Sequence, residues 1–438
     1  MLIDFFEYTH RSVPDLKPNH KGEEEKRLVA FIVDRDREVV VVPLGKCEII
    51  SKQVEVWRAS YGRGYRLGAN QADPAVELQK LVWDKLAPQL ENLKAPIGAV
   101  PVVLVSPDGP LAGFPLQTLK GNDGKILLEH YMFAHVAVPQ HLPTLLKNNP
   151  RLVGDPKALL VGGIDYDQGP GPKSRGELVR RFVTLPGTLK EIEAVRTTFE
   201  RAFRSETVEL LRGSAADKPS VVKSLPGKQY VLIGTHGFYL EAPKGEPART
   251  GKRDPVVRWL HPETALDQQS GLRSGLIFAG ANWSKTVGAG NAFLTALEVG
   301  DLDLERTELV VLSACGTGLG QPQAGEGVFG LQRAFALAGA RTVIGSLWNV
   351  PDEATQLLMI RFHENLWGCE RDGKKVAPMG RARALREAQL WLQKQIATDE
   401  KFQKRLRSGL VPEDTPVGPD DPVFAFAWAA FTLAGDWR

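Results

Sequence analysis

Residues 307–320, TELVVLSACGTGLG, decide the fold. Leu309 to Leu312 are four consecutive core-type residues, as a strand covered on both faces requires, because neither side of it meets water. The run then passes through Ser313 and Ala314 to Cys315 and a set of glycines. When helices cover both faces of a parallel sheet, the edge left free for chemistry lies at the carboxyl ends of the strands. Cys315 follows such an end. Burial as a small hydrophobe is the ordinary fate of a cysteine behind an apolar strand, so position alone does not make it reactive.

Outward from this stretch, strands and helices alternate. KALLVGG, QYVLIGTHG, GLIFAGA and ARTVIGSLWNV read as strands. NAFLTALEV, GEGVFGLQRAFALAG and the segments 352–366 and 379–396 read as helices. In TLKEIEAVRTTFERAF, Thr188 and Glu191 have the spacing of a capping box, and Ile192, Val195, Phe199 and Ala202 share one helical face. GIDYDQGPGPKSRGE and the long polar insert at 241–271 read as exposed loops, the insert serving as solvated surface, partner surface or cleavable loop. Alternation of this kind predicts an α/β fold with a mostly parallel sheet flanked by helices.

The first part differs. Segments 28–33 and 38–44 are β-rich and separated by DRDR, which suits a hairpin. A helix over 74–93, a buried strand in AVPVVLVSPDG and the β-rich KILLEHYMFAHVAVP follow. Pro, Asn and Gly cluster in KNNPRLVGDP at 147–156, which sets the expected domains at 1–150 and 151–438.

Composition narrows the function classes. The 438 residues are 43% hydrophobic and 24% charged with a net charge of +3, which is ordinary for a folded chain and gives no electrostatic reason to expect nucleic acid or an anionic membrane as partner. Cys47, Cys315 and Cys369 are too scattered for a disulfide framework or a closed zinc site, so neither a metal nor a cofactor is expected. The opening MLIDFFEYTHRSVPD lacks a basic start and apolar core, and no window reaches a membrane span of about 20 residues. A cytoplasmic location is the expectation.

Two strands end on versatile residues followed at once by glycine: YVLIGTHG delivers His236 and Gly237, and LVVLSACG delivers Cys315 and Gly316. The 79 residues from 236 to 315 leave room for a crossover plus an insert, so the two strands can be neighbours. An imidazole beside a thiol takes its proton and later protonates a leaving amine, and the N–H groups of Gly237 and Cys315 suit an oxyanion hole. A nucleotide-binding reading of GTGLG fails on spacing: the helix begins late, after QPQAGEG, the next strand ends without a ribose-binding acid, and no GK[ST] follows.

LVVLSACGTGLG, GEGVFGLQRAFALAGARTVIGSLWNVPDEAT, VLIGTHG, VLVSPDGPLAGFPLQTL and FAFAWAAFTLAGDWR together resemble the CHAT peptidases, caspase-like proteins related in fold to caspases and separase. The resemblance runs from about residue 28 to 437. It implies a caspase-like fold with an amino-terminal pseudo-caspase subdomain lacking catalytic residues, His236 as general base and acid, Cys315 as nucleophile, and Gly237 with Cys315 as oxyanion donors. At Gly316 many relatives carry Glu. The resemblance also places Ser313 in the pocket for the side chain before the cleaved bond, and points to Trp348 and Asp352 as walls of it. Trp348 reads equally as a core aromatic, and Asp352 reads first as an acid at a helix start. The implied function is a cysteine endopeptidase acting on a protein substrate through a thioester, with an activating protein partner and a role in bacterial defence or cell death. The other reading is a caspase-fold interaction or scaffold module that does not cleave.

Overall fold

The structure, a computed structural model, describes residues 1–12, 24–61, 72–90, 93, 99–147, 155–169, 182–203, 207–239, 274–283, 292–314, 321–323, 327–407 and 424–438. Cys315, Gly316, the 241–271 insert and most of 147–156 lie outside the described residues. The chain forms two compact units, one of Met1–Leu146, Pro322–Val328 and Gln393–Ala429, the other of Lys147–Gln321, Phe329–Leu392 and Ala430–Arg438.

The first unit is built on strands β1 (Leu2–Arg11), β2 (Glu24–Val33), β3 (Val40–Lys46), β4 (Val102–Ser106) and β5 (Met132–His135) in the order β3-β2-β1-β4-β5. β2 runs antiparallel to β1 and β3, and the DRDR segment joins β2 to β3. β4 runs parallel to β1 and β5. The opening residues form the ten-residue β1, whose Leu2, Ile3 and Phe5 are buried. Helix α1 (Cys47–Ser60) buries Cys47, Ile50, Val54 and Trp57, the three-and-four spacing of a single face.

The second unit holds the motif strands. β6 (Ala158–Ile164), β7 (Val208–Gly213), β8 (Tyr230–Thr235), β12 (Leu309–Ala314) and β13 (Thr342–Ser346) are parallel, and β14 (Phe431–Gly435) is antiparallel to β13, in the order β14-β13-β12-β8-β6-β7. Every residue of β8 is buried, as the apolar run requires. β9 (Gly237–Tyr239), β10 (Ser274–Ile277) and β11 (Phe293–Thr295) form a separate antiparallel sheet, with Gly237 opposite Leu276. The helices include α2 (Pro186–Phe203), α3 (Leu331–Leu337), α4 (Asp352–Trp367) and α5 (Arg381–Thr398). Helix α2 packs on β6, β8 and α4. Glycine permits the approach: a Cβ at Gly234 of β8 would meet the Thr188 side chain at 2.9 Å, and one at Gly162 of β6 would meet the Thr188 carbonyl at 2.7 Å.

Three local expectations are corrected. Thr188 and Glu191 form no capping box, because α2 starts at Pro186, ahead of Thr188. The Thr188 hydroxyl donates to the Leu185 carbonyl and accepts from Gly163 N–H, and Glu191 turns inward to Ser313. NAFLTALEV is half strand, since β11 ends at Thr295, whose side chain caps a short helix over Ala296–Gly300 in a true capping box with Glu298. In GEGVFGLQRAFALAG the helix starts only at Leu331, after the extended Gly330.

Candidate functional site

The register of β8 on β12 places Ser313 opposite Gly234 and Ala314 opposite Thr235. His236 is the next residue after Thr235. Cys315 is the next after Ala314, and lies outside the described residues. Two adjacent parallel strands thus end level with one another at the point where the sequence changes from apolar to chemically versatile residues.

His236 is half-buried and tightly framed. Its ring centroid stands 5.0 Å from that of Tyr166 and 5.8 Å from that of Phe182. Its Nε2 lies 2.7 Å from the Val183 carbonyl. A carbonyl oxygen only accepts, so Nε2 carries a proton and, in the neutral ring, Nδ1 is the basic nitrogen. Burial moves the His236 pKa below its ordinary value, while the Val183 bond and the Asp352 charge oppose that shift. The backbone under the ring is also fixed. Thr235 Oγ1 donates to the Ile277 carbonyl and so accepts from the Tyr166 hydroxyl at 2.9 Å, and Ile277 N–H donates to the His236 carbonyl at 3.0 Å.

Beside these strand ends lies a small pocket, open to solvent, with Thr188, Thr235, Ser313, Ser346, Thr355 and Asp352 as polar lining and Leu185, Val350 and Phe431 as apolar wall. Ser313 and Asp352 therefore share one pocket. Trp348, half-buried, is not among its lining residues. Asp352 is the first residue of α4, and its carboxylate accepts from Gly187 N–H in the first turn of α2 at 2.6 Å. It thus supports a neighbouring helix start and faces the pocket as well. Its carboxyl pKa is raised, chiefly by burial. A side chain at Gly187 would collide with that carboxylate, because its Cβ would stand 2.6 Å from Oδ2.

Behind Ser313 sits an acid whose spacing from Thr188 in the sequence matches a helix cap. Glu191 is 1% exposed and accepts from Ser313 Oγ at 2.9 Å, while its Oε1 has no partner among the described residues. Burial pushes its carboxyl well above the usual range, with the Asp352 charge adding to the shift. Val183, Tyr166, Gly187 and Asn282 were likewise missed. The in-strand glycines of VGG and IGTHG were the available signal, since Gly inside a strand marks a close backbone approach.

These features define an α/β protein of mostly parallel sheet with a histidine, an acid and a hydroxyl gathered at the carboxyl ends of its central strands. The chain belongs to the CHAT-domain family, whose profile matches residues 72–436. It is 28% identical over 291 residues to tetratricopeptide repeat protein 28 of Homo sapiens, covering 63% of this chain and 11% of that protein. Among solved structures it is similar to separase in the Saccharomyces cerevisiae separase–securin complex, at 10% identity, TM-score 0.42, and 85% and 18% coverage of the two chains. It is similar also to the Arg-specific cysteine proteinase gingipain R, at 12% identity, TM-score 0.44, and 89% and 74% coverage. The chain thus spans about a tenth of the human relative and under a fifth of the separase chain. At these TM-scores the overlays transfer no residue role.

Proposed function

We propose that the protein is a cysteine endopeptidase in which His236 and Cys315 form the catalytic pair. The observation that supports this reading is the register of β8 on β12, in which Thr235 and Ala314, the residues that precede His236 and Cys315 in the sequence, stand opposite one another. Support comes from the protonation state of His236. With Nε2–H committed to Val183 and the ring pKa lowered by burial, a neutral imidazole with Nδ1 as its basic nitrogen prevails at neutral pH.

The steps follow from those groups. Nδ1 of His236 takes the thiol proton of Cys315, and the thiolate attacks the peptide carbonyl carbon. N–H groups of Gly237 and Cys315 receive the negative charge that develops on the carbonyl oxygen. The imidazolium gives its proton to the leaving amine, the C–N bond breaks, and a thioester remains on Cys315. Nδ1 then takes a proton from water, the hydroxide adds to the thioester carbonyl, and the thiolate departs to recover that proton. The pocket beside the pair receives the side chain preceding the cut. Asp352 gives it negative charge and Ser313 a hydroxyl, which suits a basic side chain.

The amino-terminal region up to about residue 150 serves as a non-catalytic subdomain, and a protein partner that switches the enzyme on fits a role in defence or cell death. The test is mapping of new N-termini after incubating a proteome-derived peptide library with the protein and with its Cys315→Ala and His236→Ala variants. Cuts after Arg or Lys that vanish in Cys315→Ala, and slow by about two to four orders of magnitude in His236→Ala, are expected. Cuts that persist in Cys315→Ala would overturn the reading.

A further inference from the structure

His236 depends on a carbonyl, and that carbonyl sits on a segment with its own anchor. Val183 follows Phe182, and both backbone groups of Phe182 are held by one side chain: Phe182 N–H donates to Asn282 Oδ1 at 3.0 Å, and Asn282 Nδ2 donates to the Phe182 carbonyl at 2.9 Å. The amide orientation is unambiguous, because a backbone N–H only donates and a carbonyl only accepts. The second Nδ2 proton goes to Asp167 Oδ1 at 2.8 Å. Asn282 itself is fixed by its neighbours: its N–H donates to the Tyr166 carbonyl at 3.0 Å, and the next residue, Trp283, donates through Nε1 to the Asp167 carbonyl. One amide therefore ties Asp167, Phe182 and the short helical turn of Ala281–Trp283 into a single frame around Tyr166 and His236.

We infer that Asn282 is a positioning residue for His236: by clamping the backbone of Phe182 it fixes the Val183 carbonyl that holds the imidazole through Nε2 and leaves Nδ1 to serve the thiol. The inference rests on the Cys–His reading above. Asn282 acts on His236 through Phe182 and Val183.

Asn282→Asp tests this with almost no change of shape. The new carboxylate still accepts from Phe182 N–H but opposes the Phe182 carbonyl and the Asp167 carboxylate, so the clamp opens. The readout is the alkylation rate of Cys315 by iodoacetamide, followed by peptide mass spectrometry at pH 7 and at about pH 10, where an ordinary thiol of pKa about 8.5 ionises unaided. Asn282→Asp is expected to slow alkylation about tenfold at pH 7, toward the His236→Ala rate, and to leave the rate at about pH 10 unchanged. A merely structural defect moves both rates together. Asn282→Ala, which removes the clamp without adding charge, takes its place if thermal melting shows the Asp variant unfolded.

A His236→Ala variant that slows alkylation at pH 7 beside an Asn282 variant that does not would overturn the positioning role and leave the Cys–His pair standing. If His236→Ala also leaves the pH 7 rate unchanged, the pair itself fails, and the inference falls with it.

Discussion

His236 and Glu191 are two titratable groups shifted by burial in opposite chemical senses, each favouring its neutral form. The base must be neutral to take a proton, so the acid limb of kcat/KM should lie below the ordinary histidine pKa of about 6.5. Activity is then retained below pH 6.5 and lost as pH falls through the lowered value, which a pH–rate profile measures. Glu191 titrates with the reverse consequence for stability. Its folded-state pKa is raised, so its contribution is fully present below about pH 4.5 and lost as pH rises toward the folded value. Glu191→Gln keeps the Ser313 bond and removes the titration. Urea unfolding should find the variant similar to the parent at pH 4.5 and more stable at pH 8, by about 1.4 kcal/mol for each unit of separation between the folded and unfolded pKa values. A parent that gains stability on the variant between those pH values would contradict a buried neutral acid.

At the scale of elements, strand ends and helix starts carry the site, and legibility in the sequence divides along the same line. β8 and β12 were readable because unbroken apolar runs have few other uses. His236 stood out because its strand ended there, next to glycine. The carbonyl that holds it did not, since Val183 contributes a backbone group that any residue would supply. Glu191 was hidden by its spacing from Thr188, which matches a capping box, and only the start of α2 at Pro186 shows that both side chains serve the sheet instead. β14 was quoted for its likeness to the family and not read as a strand. Its last residue, Gly435, has φ of +102° and a Cβ there would collide with the Arg341 carbonyl. Gly435→Ala should therefore cost about 2 kcal/mol or more, from strain and overpacking together, seen as a lowered urea midpoint. A loss below about 0.5 kcal/mol would mean that the β13–β14 edge adjusts freely.

At the scale of the whole molecule, the two units differ in what their cysteines can do. Cys47 opens α1 in the first unit, is buried, and has its thiol pushed up to about 12 by burial and then by the nearby Glu7 charge. Such a thiol is inert at neutral pH. Cys47→Ser should leave the cleavage rate within about twofold of the parent, as a peptide-cleavage assay measures, whereas a large loss would give the first unit a catalytic part. Among the described residues no helix is long and apolar enough to cross a membrane. The match over 72–436 includes residues of both units, while catalysis is proposed for the second alone.

The central claim is that Cys315 carries the acyl group of the substrate during turnover. Its most direct test is an acid quench of the protein mixed with peptides that it cuts or, if none is cut, with the whole library, followed by peptide mapping for an added acyl mass. An acyl group on Cys315 that neutral hydroxylamine removes is expected, and none on Cys47 or Cys369. No acyl group on Cys315, with no cleavage that depends on it, would leave a non-cleaving scaffold in place of the peptidase.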